Sequence, residues 1–129
     1  MAQVKIFGVA ERLTPRRAAL SDVIHACVVE VLGLPAGKRA HRFFPLAAED
    51  FFMPADRSAD YTIIELCMMS GRSVETRKRL VRSLFDRVHA DLGITPQDLE
   101  VCILESPPEN WGFRGLHGDE AQLGYAVRI

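Results

Sequence analysis

The 129-residue chain has no excess of charge of one sign. Its 16 lysines and arginines stand against 17 aspartates and glutamates, which gives a formal net charge of −1 with neutral histidines. The one locally basic stretch, residues 76–87, distributes its charges with helical spacing and includes Asp86. That pattern favours a solvated helix face over a phosphate-binding surface. The charge balance therefore predicts neither a nucleic-acid partner nor binding to an anionic membrane.

The chain also has little cysteine and no recognisable metal-ligand spacing. Its cysteines lie inside apolar segments without a CxxC pair, which favours buried free thiols over disulfides, nucleophiles or metal ligands. They are Cys27, Cys67 and Cys102. The four histidines are scattered along the chain, so we expect no zinc site and no other metal.

Long apolar runs are missing as well. No segment approaches the length of a membrane span, and the beginning of the chain does not have the charged and apolar regions of a signal peptide. We therefore expect a cytoplasmic protein that does not cross a membrane.

What the chain does contain is a globular composition and an internal repeat. With 48% apolar and 26% charged residues, its length suits one domain with its own core. An offset of 60 residues aligns identical residues in the two halves. They are Arg12/Arg72, Arg17/Arg77, Leu20/Leu80, Val28/Val88, Leu32/Leu92 and Gly33/Gly93. The apolar positions have strand spacing at the front of each half and helix spacing behind it, so each half is predicted to be strand, helix, strand.

In the first half, residues 3–8 alternate like a strand. Thr14 as N-cap and Pro15 at the first helical position predict the start of a helix. Gly33 is expected to end that helix, and a second strand is expected over about residues 39–46.

In the second half, residues 61–69 are the strongest strand candidate. Ser73 is the expected N-cap of a helix that stops at Gly93. A fourth strand is expected at residues 99–105. A loop rich in proline and glycine then leads to a final short strand at residues 124–129, whose alternation would suit pairing with a neighbouring subunit.

These elements predict an α+β fold, in which duplicated β-α-β units form a four-stranded mixed sheet with two helices on one face. The whole chain, 1–129, is expected to be a single domain, with repeats at about 2–46 and 61–105 and a C-terminal part at 106–129. The other sheet face would carry Lys5, Phe7, Glu65 and Cys67, with Val101 and Ile103 as candidates to join them. Since such a face is partly apolar, we expect oligomerisation to cover it.

Three local motifs accompany the repeat: DVIHACV at 22–28, SGRSVETRK at 70–78 and ENWGF at 109–113. With them, the whole chain resembles the tautomerase superfamily. Within it, the chain is most similar to the group around malonate semialdehyde decarboxylase, and more distantly to cis-3-chloroacrylic acid dehalogenase. The resemblance implies a tautomerase-like fold, a homotrimer, a small carboxylate-bearing substrate and no cofactor.

In the family that the chain resembles, the residue after the initiator methionine is a catalytic proline. Ala2 stands there in this chain. If Met1 is removed, the Ala2 α-amine has an ordinary pKa of about 7.7–8.0, and desolvation would lower that pKa further, so the amine could act as a general base. The alternative is that Ala2 merely begins an edge strand.

The resemblance also implies the other site residues. Arg72 matches the family arginine that binds a substrate carboxylate, although a solvent-exposed turn arginine, as expected for its repeat counterpart Arg12, is the alternative. The implied pocket residues are Trp111, Phe113, Asn110 and His25, with Arg114, His41 and Arg42 as weaker candidates. Packing is the alternative role for His25 and for the two aromatic residues.

Two departures from the family narrow the chemistry. Met69 and Ser70 stand where the decarboxylase and the dehalogenase have a second arginine, and Lys38 stands where the decarboxylase has an acidic residue. Hydration chemistry is therefore disfavoured, whereas a keto–enol shift needs only one base and one cation. We expect a tautomerase acting on a small enolisable oxo acid, with a non-catalytic trimeric scaffold and a weak oxo-acid decarboxylase as alternatives.

Overall fold

The computed structural model describes residues 2–129, so Met1 lies outside the described residues. The strands are β1 (Ala2–Val9), β2 (His41–Leu46), β3 (Thr62–Met69), β4 (Leu99–Ser106), β5 (Gly112–Phe113) and β6 (Leu116–His117). The helices are α1 (Ala10–Leu13), α2 (Arg17–Leu32) and α3 (Val74–Leu92). Within residues 2–129, none of the helices is long and apolar enough to span a membrane.

The four long strands form one mixed sheet in the order β2-β1-β3-β4. The pairs β1–β2 and β3–β4 are parallel, and the two central strands, β1 and β3, are antiparallel. Each parallel pair is joined through a helix, so the predicted duplicated β-α-β architecture is confirmed. The repeat is visible in the bounds, because Thr62–Met69 lies 60 residues after Ala2–Val9 and the long helices end at Leu32 and Leu92.

Both long helices cover one face of the sheet. Alternate side chains of β1 and β3 are buried under them, together with one stripe of each helix. The fully buried members include Ile6, Ile64, Leu66, Leu20, Ile24, Leu80 and Leu84. The strand period of two and the helical spacing therefore point the same apolar residues at one core.

The placement of Val101 and Ile103 on the open sheet face was wrong. Val101 lies opposite Ile64 and Ile103 opposite Leu66, so both face the helices and pack on the core. The alternation in β4 instead puts Cys102 and Leu104 on the open face. The strand lies where it was expected, but its alternating side chains were assigned to the wrong faces of the sheet, as a shift of one residue would do.

The start of the first helix was also wrong. The chain becomes helical at Ala10, and a 3-10 turn at Thr14–Arg16 joins α1 to α2, so Thr14 lies inside the helical run and caps nothing. Pro15 lacks the N–H that would bond to the preceding turn, which explains the tighter turn there. The second helix begins as predicted, since the Ser73 side chain accepts a hydrogen bond from the Thr76 N–H.

The strand predicted at residues 124–129 does not form within the described monomer. The regular structure near the end is a small hairpin of β5 and β6, whose turn is made by Arg114 at φ 55° and Gly115 at φ 77°. Pairing of residues 124–129 with another subunit stays a prediction.

The prediction of three buried thiols is confirmed for one of them. Cys27 is buried in the core, whereas Cys67 is half-buried and Cys102 exposed on the open sheet face. Cys67 and Cys102 lie in apolar strands, but the alternation of side chains along a strand points both away from the helices. In the monomer the open face leaves them accessible.

Candidate active site

Three strand ends meet at one end of the sheet. β1 begins there at Ala2, which lies opposite Met68 near the end of β3. Met69 lies opposite Ser106, where β4 ends. The topology therefore gathers Ala2, the turn after β3 and the loop after β4.

Ala2 occupies a buried position in this group. It retains 5% of its accessible surface and belongs to the core cluster, with its side chain on the helix-covered face. It does begin a strand, as one alternative held, but β1 is a central strand of the sheet and not an edge strand. Its main chain thus lies in an apolar environment of the kind that lowers the pKa of an amine.

Arg72 is buried, with 4% of its surface exposed. One nitrogen, Nη1, donates a hydrogen bond of 2.8 Å to the main-chain oxygen of Met69, while Nε and Nη2 are buried without a partner among residues 2–129. Burial lowers the pKa of Arg72, and Tyr125 and Glu105 act in the opposite direction. The alternative of a solvent-exposed turn arginine is therefore wrong. Its repeat counterpart fits that description instead, since Arg12 has 51% of its side chain exposed and pairs with Asp60 at 3.4 Å.

The turn that carries Arg72 is unusually constrained. Gly71 has φ 140°, which only glycine adopts readily, and Ser73 immediately begins α3. The guanidinium is thereby held between the end of β3 and the first turn of a helix. Two unpartnered nitrogens, which carry three N–H donors, are costly in a buried cation unless an anion or another acceptor reaches them.

The loop after β4 places Trp111 beside this turn. Trp111 is 8% exposed, and its Nε1 donates to the main-chain oxygen of Ser106 at 3.2 Å. A Cβ at Gly118 would lie 2.5 Å from the Pro108 oxygen and 3.0 Å from Trp111 Cβ, so only glycine fits there. Trp111 is therefore held in place by its own loop and is not a mobile surface aromatic.

The other residues expected in the pocket are placed less closely. Phe113 is half-buried and lies under the Arg114 guanidinium at 5.2 Å, while Asn110 is exposed. A cavity of about 460 Å³ runs between the end of β3 and the loop after β4. It is lined by Met69, Ser70, Gly71, Pro108, Gly118, Asp119, Leu123, Val127 and Arg128. None of the expected site residues lines this cavity, so the single chain does not unite them in one pocket; they are Ala2, Arg72, Trp111, Phe113, Asn110 and His25.

His25 lies on the helix-covered side in a polar cluster of its own. Its Nε2 donates to the main-chain oxygen of Ala36 at 2.6 Å, and its ring stands 6.1 Å from that of His41. Ser21 Oγ lies 2.8 Å from His41 Nδ1, within hydrogen-bond distance, and also accepts from Arg39 at 3.3 Å. Burial, Arg39 and His25 lower the pKa of His41 to about 4. Arg42 points to the opposite face, where it donates to Gln3.

Sequence reasoning missed two parts of the site. The main-chain oxygens of Met69 and Ser106 orient Arg72 and Trp111, and no residue type signals a carbonyl acceptor. Tyr125 was assigned only to a strand pattern, yet it packs against the core and interacts electrostatically with Arg72 and Arg114. Its position after a long glycine-rich loop concealed that contact.

Comparison with known proteins identifies the family of the chain. A model of the tautomerase enzyme family matches residues 38–114. The chain is similar to the probable tautomerase YusQ of Bacillus subtilis (strain 168), with 24% identity over 99 residues that cover 73% of this chain and 78% of the relative.

Two solved structures share the fold. FG41 malonate semialdehyde decarboxylase, inhibited by 3-bromopropiolate, gives a TM-score of 0.77 and 28% identity over 86% of this chain and 88% of that one. Fused 4-OT, an asymmetric trimer, gives a TM-score of 0.80 and 18% identity over 91% of this chain and 96% of that one. Since the family model spans more than half of the sequence, and the predicted resemblance is thereby confirmed, the chain belongs to the tautomerase family.

Proposed function

We propose that the protein is a trimeric keto–enol tautomerase that acts on a small enolisable oxo acid. Removal of Met1 would leave the Ala2 α-amine as the proton-transferring group at the start of β1. Arg72 would bind the substrate carboxylate, and Trp111 would enclose the site. Asn110 and Phe113, which lie on either side of Trp111 in the chain, would complete the wall when a neighbouring subunit closes it.

Arg72 carries the proposal. An arginine with only 4% of its surface exposed, whose Nε and Nη2 have no partner within the described residues, is a poor structural element and a good carboxylate receptor. The adjacent N-terminal turn of α3 favours the same negative charge. Its repeat counterpart Arg12 lies at the surface and pairs with the Asp60 carboxylate. The burial of Arg72 without a carboxylate partner is therefore not a feature that the two halves of the repeat share.

The chemistry needs only these groups. In ketonisation, the protonated amine gives its proton to the substrate carbon, while the enol hydroxyl loses its proton to water. The C=C bond of the enol becomes a single bond, and its C–O bond becomes C=O. Arg72 offsets the charge that develops on the oxygen. The neutral amine is then reprotonated from water, so one proton enters and one leaves in each turnover.

One observation favours a non-catalytic scaffold as the second candidate. The Ala2 side chain is packed into the core, so the residue has a structural use that needs no free amine. The likeness to malonate semialdehyde decarboxylase keeps weak decarboxylation as a third candidate. Met69 and Ser70 supply no second cation for the developing carbanion.

The experiment is the ultraviolet-monitored ketonisation of phenylenolpyruvate by protein with its native terminus. We expect turnover above buffer, and Arg72→Met to lower kcat/KM by roughly 100-fold or more, since a preorganised group of this kind contributes about 3 kcal/mol. Methionine fills the buried volume without charge. Arg12→Met is the matched control and is expected to keep wild-type turnover.

Mass spectrometry of the intact chain decides whether Met1 is removed and the amine is unmodified. If the wild type does not exceed buffer, or if Arg72→Met and Arg12→Met turn over alike, the tautomerase proposal fails for this substrate class. The scaffold then becomes the better account. With turnover established, Ala2→Pro is expected to raise kcat, because the proline ring fixes the nitrogen lone pair.

A further inference from the structure

Residues 122–129, called the C-terminal segment below, lie across the turn that carries Arg72. On one side of Arg72, a Cβ at Gly71 would stand 2.8 Å from Val127 Cγ1, so the two chains are in direct contact. On the other side, Thr76 Oγ1 donates a 2.7 Å hydrogen bond to the main-chain oxygen of Ile129. The segment is thus fixed on both sides of Arg72.

The beginning of the C-terminal segment is fixed as well. Arg114 Nη2 donates to the main-chain oxygen of Gln122 at 3.1 Å. Arg114 does so from a backbone conformation of φ 55°, which is unfavourable for a residue with a side chain. The two-residue turn between β5 and β6 has φ > 0 at both of its residues, so the hairpin fixes the direction from which Arg114 reaches the C-terminal segment.

Tyr125 lies between these anchors. Its ring is half-buried and packs against the core. The positive charges of Arg72 and Arg114 both lower the pKa of its phenol. Burial raises the pKa of Tyr125, and this effect outweighs the opposite influence of the two arginines. At neutral pH the phenol is therefore protonated and can act as a hydrogen-bond donor.

We propose that Tyr125 is a further substrate-binding residue of the Arg72 site, with its phenolic hydroxyl donating to the anion that Arg72 Nε and Nη2 receive. The ligand class is a small 2-oxo carboxylate, whose carboxylate meets the guanidinium while its oxo or enolate oxygen meets the phenol. This inference rests on the proposed function, because it adds a group to the same site. It differs from the proposed function because it requires only that the ligand binds, and not that the protein turns it over.

Calorimetric titration with benzoylformate tests the inference. Benzoylformate is a 2-oxo carboxylate that cannot enolise, so its binding is measured independently of catalysis. We expect Tyr125→Phe to weaken binding about tenfold, the loss of one hydrogen bond to a charged group, while the ring and its packing are kept. Tyr61→Phe is the matched control. Tyr61 immediately precedes β3, at the opposite end of that strand from Arg72, and is expected to leave binding unchanged.

Ketonisation kinetics of the same variants separate the two proposals. Tyr125→Phe is expected to raise KM more than it lowers kcat. Tyr125-dependent binding without turnover would support this inference while the tautomerase proposal fails. Binding by Tyr125→Phe equal to wild type, an equal loss in both tyrosine variants, or no binding by the wild type would overturn it, whatever the turnover.

Discussion

Among single residues, the half-buried His41 is a titratable group whose pKa departs clearly from its ordinary value. Its pKa is lowered to about 4 from an ordinary 6.5 by burial, by Arg39 and by His25, and its Nδ1 is hydrogen-bonded to the Ser21 hydroxyl. The folded protein therefore keeps His41 neutral where the unfolded chain would protonate it. Because the unfolded state then binds more protons, this residue makes stability fall as the pH drops from about 6.5 to about 4.

The corresponding prediction concerns His41→Gln. Urea unfolding at pH 7.5 and pH 4.5 is expected to show a smaller loss of stability in the variant than in the wild type, by about 1–2 kcal/mol after allowance for partial solvent exposure. His89→Gln removes an exposed histidine of α3 and serves as the control. If His41→Gln loses as much stability between pH 7.5 and pH 4.5 as the wild type does, this histidine is not protonated on unfolding.

The residue scale also shows where prediction from sequence stopped. Arg72 could be found because a glycine, a capping serine and a repeat partner surround it in the sequence. Its burial could not be found, since a segment more than 50 residues away lies across this turn, where Val127 contacts Gly71 and Ile129 accepts a hydrogen bond from Thr76. Local patterns identify a residue type at a turn, but the exposure of that residue is decided by distant chain segments.

At the scale of elements, Ser73 connects the second helix to the site. Its side chain accepts from the Thr76 N–H at 3.1 Å and so satisfies one of the free donors of the first turn. The same hydroxyl lies 3.2 Å from the main-chain oxygen of Ile129. One residue therefore both starts α3 and helps hold the C-terminal segment.

Ser73→Ala is expected to reduce the free energy of unfolding by about 1 kcal/mol through loss of the cap. Ser73→Asp keeps the acceptor for the Thr76 N–H but cannot donate to Ile129, so it is expected to recover most of that loss. Thr95→Ala is the control, because Thr95 precedes a 3-10 turn and makes no side-chain capping bond within the described chain. Urea unfolding of the three variants checks this; an Ala variant as stable as the wild type would contradict it.

The elements were predicted well where the spacing of the apolar residues and the capping residues at the helix ends indicated the same bounds. The second half shows this, with a strand, the Ser73 cap and Gly93 at the helix end. The first helix was predicted too short, because Thr14 and Pro15 imitate a start inside a run that had already begun at Ala10. Residues 124–129 alternate like a strand, but in the monomer Tyr125 packs against the core and Ile129 accepts a hydrogen bond from Thr76 in α3, so this segment joins neither edge strand of the sheet.

For the whole molecule, the sheet has one covered and one open face. Lys5 lies opposite Glu65 in the register, and Phe7 stacks on Phe44 with ring centroids 4.8 Å apart. Leu104 is 48% exposed on the same face. A surface that mixes aligned opposite charges with stacked aromatic and aliphatic groups is suited to burial against another copy of the chain. The trimer proposed for this protein would cover it.

Leu104→Lys tests that arrangement. A charge in the proposed interface would be buried without a partner, so we expect the variant to shift toward monomers in sedimentation equilibrium at micromolar concentration. Leu116→Lys is a closely matched control, because Leu116 is 47% exposed but belongs to the hairpin of β5 and β6. If both variants remain trimers, or if the wild type is itself monomeric, the open face is not the interface. If only Leu104→Lys dissociates and loses ketonisation with it, the site depends on assembly, which would explain why one chain does not place Ala2 and Arg72 in a common cavity.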